Sequence, residues 1–223
     1  MNTSELIVGE HMQWDAWLDL VTPTAKKLIT DLNKRAIPVS VLRERFKNSE
    51  IRQPLPPDLP GVYGFFTANP KDINPLVKFG ESYELFARLV SHIGVKPNKN
   101  VVPQRYREEG NKFSGDSSFR VKIARALGLI IDGEYKKTEL RGEKSEISIR
   151  INNAIDKYRV AWQPLLFGRA ELQTWVEWTN HPSKTYRARQ MKANPFQARL
   201  KPTFDKSLFS KEQDYWKKTL DLT

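Results

Sequence analysis

The chain has 223 residues, of which 39% are apolar and 11% aromatic, enough to build a core and to exclude a disordered chain as the default. Lys and Arg number 37 against 26 Asp and Glu, and the net charge of +11 makes a polyanion such as nucleic acid the first partner to test. The absence of cysteine excludes disulfide scaffolds, thiolate zinc sites and cysteine nucleophiles.

No apolar run approaches the roughly 18 residues that a membrane span needs. The segment MNTSELIVGEHMQWD carries acids where a signal peptide has a basic end and an apolar run, so the expected location is the cytoplasm, away from membranes. Across residues 13–50, Trp14, Trp17, Leu18 and Val21, then Leu28, Ile29 and Leu32, recur at helical spacing, and Thr22-Pro23 is placed as a helix start. Two or three short helices are expected, forming an N-terminal layer over 1–53 that packs on the domain behind it. The prolines of Pro54-Leu55-Pro56-Pro57-Asp58-Leu59-Pro60-Gly61 remove backbone donors and fix φ, so this stretch is not helical. Val62-Tyr63-Gly64-Phe65-Phe66 and Leu76-Val77-Lys78-Phe79-Gly80 then read as the two strands of a hairpin. Residues 81–93 read as a helix with Leu85, Phe86, Leu89 and Val90 on its apolar face and Ser82 as N-cap.

Residues 94–157 are polar and basic and read as an insertion. Within it, 117–131 has the alternation of apolar and basic residues expected of an amphipathic helix. Residues 158–165 read as a strand, and 170–180 as a helix carrying Leu172, Trp175, Val176 and Trp178 inward. A strongly basic stretch over 182–206 interleaves Tyr186 and Phe196, and 202–223 forms a C-terminal tail. No internal repeat or long low-complexity tract is visible.

Phosphodiester hydrolysis requires a group to activate water, a cation to neutralise charge gathering on phosphorus, and an acid or metal to receive the leaving oxygen. The central segment can fill each role. Two neighbouring strands place Tyr63 and Lys78 close together, and the following helix brings Arg88 toward the same end. Glu171, at the start of a later helix, suits a hard divalent ion that keeps most of its water. Glu177 is its rival.

Leu59-Pro60-Gly61-Val62-Tyr63, followed by Lys78-Phe79-Gly80-Glu81-Ser82 and by Leu85-Phe86-Ala87-Arg88-Leu89-Val90-Ser91-His92, resembles the GIY-YIG nucleases. Gly61-Val62-Tyr63 stands for the GIY tripeptide and Lys78-Phe79-Gly80 for YIG. Arg88 is the family's helical arginine, with His92 one turn on along the same face. Lysine in place of the second tyrosine is similar to what some restriction-type members carry.

The resemblance implies an α/β (α+β) fold: a small, three-stranded, mostly antiparallel sheet flanked by helices, with N-terminal helices and an inserted basic subdomain. The catalytic core would comprise 54–93 and 158–201. The resemblance also implies Mg²⁺ bound at Glu171, one ion per active site with Mn²⁺ able to substitute, and Asn194 in or near the site after an insertion around 182–190. The implied mechanism has Tyr63, assisted by Lys78, deprotonating the attacking water, Arg88 stabilising the transition state, and His92 orienting the tyrosine or the phosphate. A type II restriction endonuclease acting on double-stranded DNA as a homodimer is the expected function, with a repair or homing nuclease as the alternative within the family.

Lys96, Lys99, Arg105, Arg107, Lys112, Arg120, Lys122, Arg125, Lys184, Arg187, Arg189, Lys192, Asn194 and Arg199 are the candidate DNA contacts, most of them to phosphate. Two competing readings stand beside this one. Asp116 with Glu134-Tyr135-Lys136 meets the loose acid, acid-x-lysine pattern of another nuclease fold, although Asp132-Gly133 marks a turn there. A non-catalytic DNA-binding protein would use 117–131 as a recognition helix. Phosphate-loop, HExxH and GxSxG motifs are absent, and the histidines at 11, 92 and 181 show no ligand spacing.

Overall fold

A computed structural model of the chain describes residues 14–51, 53–108, 117–130, 139–140 and 143–180. Among these, seven helices and four strands form a mixed α/β fold around an antiparallel sheet. The chain begins with α1 (Trp14–Arg35), β1 (Ile37–Pro38) and α2 (Val39–Lys47). The hairpin strands β2 (Gly61–Phe66) and β3 (Leu76–Ser82) lead into α3 (Leu85–Ile93). After α4 (Gln104–Glu108), α5 (Ser118–Ala126) and α6 (Glu146–Ile155) come β4 (Arg159–Pro164) and α7 (Arg169–Asn180).

The sheet order is β1-β4-β2-β3, so the expected three-stranded sheet gains a fourth strand at its edge. That strand is only Ile37–Pro38, paired with Val160 and Arg159, too short to show any alternation in the sequence. Central β2 pairs with both β3 and β4, and every one of its residues is buried. The unbroken apolar run of Gly-Val-Tyr-Gly-Phe-Phe follows from having both sheet faces covered.

Alternation along β2 divides the core in two. Tyr63 and Phe65 share one cluster with Val39, Leu42 and Phe46 of α2, Leu85, Phe86 and Leu89 of α3, Phe119 and Ile123 of α5, and Ile151 and Ile155 of α6. Val62 and Phe66 point to the other, built with Val21, Ala25, Leu28 and Leu32 of α1 and Leu172, Trp175 and Val176 of α7.

Three expectations about organisation are corrected here. The N-terminal helices do not form one layer: α1 and α2 cover opposite faces, and the edge strand between them carries the chain across. Thr22-Pro23 does not start a helix, because α1 runs through Pro23. Val21, Ala25, Leu28 and Leu32 keep one buried stripe across the proline, and Trp175 Nε1 donates to Thr22 Oγ1 at 2.8 Å, so packing on α7 offsets the missing backbone bond. Finally, the inserted segment is not separate from the core at its described residues, since Val95, Val102, Tyr106, Phe119, Ile123 and Ile151 join the cluster that holds Tyr63.

The strand at 158–165 and the helix at 170–180 lie within a residue or so of their expected limits. Ser82 is not the N-cap of α3. It ends β3, its Oγ accepting from Glu84 N and donating to Glu84 O, both at 3.0 Å, in a turn that delivers the chain to the helix.

Candidate active site

Tyr63 of β2 lies opposite Gly80 of β3, and Phe65 lies opposite Lys78, so Tyr63 and Lys78 are diagonal neighbours on one face of the hairpin. The Tyr63 ring lies across the backbone at position 80. A Cβ there would collide with Tyr63 Oη and stand 2.5 Å from Cζ, which explains why the Lys78-Phe79-Gly80 tripeptide needs glycine at its end. Helix α3 packs on the same face, held by Leu85, Phe86, Leu89, Val90 and Ile93. Arg88 and His92 are four residues apart on it and project from one side.

The Tyr63 hydroxyl is 2.6 Å from His92 Nε2, and the other ring nitrogen, Nδ1, is 2.6 Å from Ser117 Oγ. Ser117 is the N-cap of α5 and accepts from Arg120 N at 3.1 Å. A continuous hydrogen-bonded chain therefore runs from the N-terminus of α5 through a serine and a histidine to the tyrosine oxygen. Tyr63 is 3% exposed and His92 1%, and Phe65 and Phe119 set their ring edges against the imidazole. The bond fixes the orientation of the tyrosine, and burial removes His92 from any direct contact with phosphate.

Burial dominates the acidity of both rings. It raises the Tyr63 phenol above its ordinary value; the Arg88 charge works in the opposite direction, and Glu81 raises it further. It holds His92 well below the ordinary imidazole range, helped by the positive charges of Lys78, Arg88 and Arg120. Desolvation thus outweighs the nearby charges at Tyr63, and Arg88 is the cation that opposes it. Arg88 itself is half-buried and makes no ion pair among the described residues.

No family model, curated protein or solved structure matches this chain.

Glu171 occupies the first turn of α7; its side chain lies outside the described residues, as does that of Glu177. The start of α7 is anchored to the end of β3 by its neighbours. Arg169 Nε is 3.6 Å from a Glu81 carboxylate oxygen, and Gln173 Oε1 accepts from Glu81 N at 3.2 Å. Positions 81 and 171 therefore lie at the same end of the sheet. Among the described residues no group of three or more His, Asp or Glu could enclose a metal.

The candidate DNA contacts separate clearly. Lys96, Lys99 and Arg107 are exposed, and Lys122 and Arg125 are half-buried. Arg105 is exposed but engaged, 2.6 Å from Asp58 and 2.9 Å from Glu84. Arg120 is no surface cation. It is 1% exposed, and its guanidinium donates to Leu140 O at 2.5 Å, Asn152 Oδ1 at 2.6 Å and Ile93 O at 3.2 Å. Burial lowers its pKa to about 10, and it ties α5 to α3 and α6. Lys112, Lys184, Arg187, Arg189, Lys192, Asn194 and Arg199 lie outside the described residues, as do Asp116, Glu134 and Lys136 of the competing acidic pattern.

Two residues near the tyrosine escaped the sequence reading. Ser117 stood only as the start of an amphipathic helix, because nothing local links it to a histidine 25 positions earlier. Glu81 was read as the first residue of a helix over 81–93, whereas it belongs to β3 and the helix starts at Leu85; its proximity to Tyr63 and α7 is a tertiary fact.

Proposed function

We propose that this chain is a Mg²⁺-dependent endonuclease of the GIY-YIG type that hydrolyses double-stranded DNA, as a type II restriction enzyme working as a homodimer. One observation carries the reading: the Tyr63 hydroxyl is held at 2.6 Å by His92, with the Arg88 charge acting on both rings and the Lys78 charge on the imidazole. A phenol fixed by an imidazole and flanked by cations has the parts that a general base and a phosphate-neutralising charge require.

In this mechanism Tyr63 takes the proton of the attacking water. Its raised pKa keeps it a phenol in the free protein, so it must first give up its own proton to solvent water, a loss that the positive charge of Arg88 favours, before it can accept the proton of the attacking water. Arg88 neutralises the charge gathering on the non-bridging phosphate oxygens, and Lys78 holds the scissile phosphate or the water beside Tyr63. Glu171, with Glu81 close to the start of its helix, would hold the divalent ion, which when bound supplies positive charge to the leaving 3′-oxygen. Lys96, Lys99 and Arg107 would contact DNA phosphates outside the site.

The competing recognition-helix reading fits α5 poorly. Phe119, Arg120, Ile123, Ala124 and Ala126 are all buried, and the helix has spent its central arginine on the core.

Incubation of the protein with phage DNA and Mg²⁺, followed by sequencing of fragment ends, tests the proposal. Discrete fragments with a common end sequence are expected, and Arg88→Ala should abolish cleavage while retaining DNA retardation in a gel. Intact DNA across several divalent ions, or undiminished cleavage by Arg88→Ala, would overturn it.

A further inference from the structure

The hydrogen-bonded chain that ends on Tyr63 has a direction, and the donor count at its far end sets it. Ser117 Oγ has two partners among the described residues, Arg120 N and His92 Nδ1. The backbone N–H can only donate, so Oγ accepts there, and the serine's own proton needs an acceptor. Among the described residues, Nδ1 at 2.6 Å is the acceptor in reach. If Nδ1 instead carried the ring proton, Oγ would take two N–H donors and its hydroxyl proton would be left without an acceptor beside Phe119 in the core. With the opposite polarity, the proton without an acceptor among the described residues is that of Tyr63, at the end where Lys78 and Arg88 are half-buried. Ser117, at the capped end of α5, is instead buried. The N-terminus of α5 acts in the same sense, since its positive end polarises the serine O–H toward donation.

We infer that Ser117 is a positioning residue that holds His92 as the Nε2–H tautomer, so that the imidazole donates to the Tyr63 oxygen. The phenol proton is then directed away from histidine and toward the site, and the same Nε2–H remains in place to stabilise the tyrosinate once that proton has left. His92 keeps its proton throughout and does not act as the base. The functional half of this inference rests on the nuclease reading above; the tautomer half does not.

Nitrogen-15 NMR of the histidines in the full-length protein, with His92 assigned by loss of its signal in His92→Gln, reads the tautomer directly. The expected result is a protonated Nε2 and an unprotonated, hydrogen-bonded Nδ1 in the wild type, retained in Ser117→Thr and lost to a mixture in Ser117→Ala. A protonated Nδ1 in the wild type, which needs no variant to fold, would overturn the inference, as would a tautomer unchanged in folded Ser117→Ala. Cleavage assays add the second readout: Ser117→Ala should lower kcat by about tenfold or more at nearly constant KM, with Ser117→Thr close to wild type. Equal loss in both variants would refute the positioning role. Absence of cleavage in the wild type would count against the nuclease reading alone, leaving the tautomer to be decided by NMR.

Discussion

Replacing Gly80 with alanine tests whether the tyrosine is built into the sheet as described. The added Cβ would collide with Tyr63 Oη and stand 2.5 Å from Cζ and 3.0 Å from Cε1, separations that real Cβ atoms do not tolerate. The ring is fully buried, with Phe65 and His92 at 6.2 and 5.1 Å between centroids, so it cannot swing into solvent without giving up its packing. Overpacking of this kind costs about 1–3 kcal/mol. Breaking the bond between Tyr63 and His92 adds about 1 kcal/mol or more, because both partners are buried. Gly80→Ala should therefore lower stability by about 2–4 kcal/mol, read as a shift of the urea midpoint at unchanged slope. In a Tyr63→Ala background the three nearest contacts, all to the Tyr63 side chain, are gone, and the same substitution should cost much less than in the wild type. A neutral Gly80→Ala, or an equal cost in both backgrounds, would refute the placement of the ring. Under the proposed function, cleavage should fall with the displaced phenol.

Arg120→Ala should destabilise the protein by about 3 kcal/mol or more, since it strips donors from buried carbonyl and amide oxygens of α3, α6 and the 139–140 turn; thermal unfolding checks this. A loss confined to DNA affinity, with an unchanged melting temperature, would contradict its burial. His92 makes stability depend on pH. Its folded-state pKa lies below the ordinary value of 6.5, so below that pH the unfolded chain binds a proton that the folded one refuses. The contribution of this group is fully present above about pH 7 and declines on acidification by up to about 1.4 kcal/mol per pH unit, until the folded-state value is reached. Urea titrations between about pH 5 and 7.5 should show this slope, and His92→Gln should remove it. Glu171→Gln should abolish Mg²⁺-dependent cleavage while leaving the circular dichroism spectrum intact; full activity would move the metal to another carboxylate, Glu81 first.

The hairpin, the helix that follows it and the later strand and helix were readable in the chain because each is a local pattern. β-Prone runs flank a loop, apolar residues recur at helical spacing, and prolines mark the entry to the first strand. The proximity of Tyr63 to Lys78, and the shared face of Arg88 and His92, followed from strand pairing and helical period alone, and the structure has both. Other features depend on residues far apart in sequence. The edge strand Ile37–Pro38 exists only because β4 offers it an unpaired side. Arg120 looked like one more basic residue on an amphipathic helix until α3, α6 and the 139–140 turn surrounded it with carbonyl oxygens. The same holds for Ser117, whose hydroxyl acquires its meaning from an imidazole on another helix. Periodicity records which side of an element is apolar, whereas the partner that a buried polar group meets on that side is set by how the elements pack. The residue types around the tyrosine were therefore legible in the sequence, but the desolvation that governs their acidity and the hydrogen-bonded chain behind them arise only in the folded core.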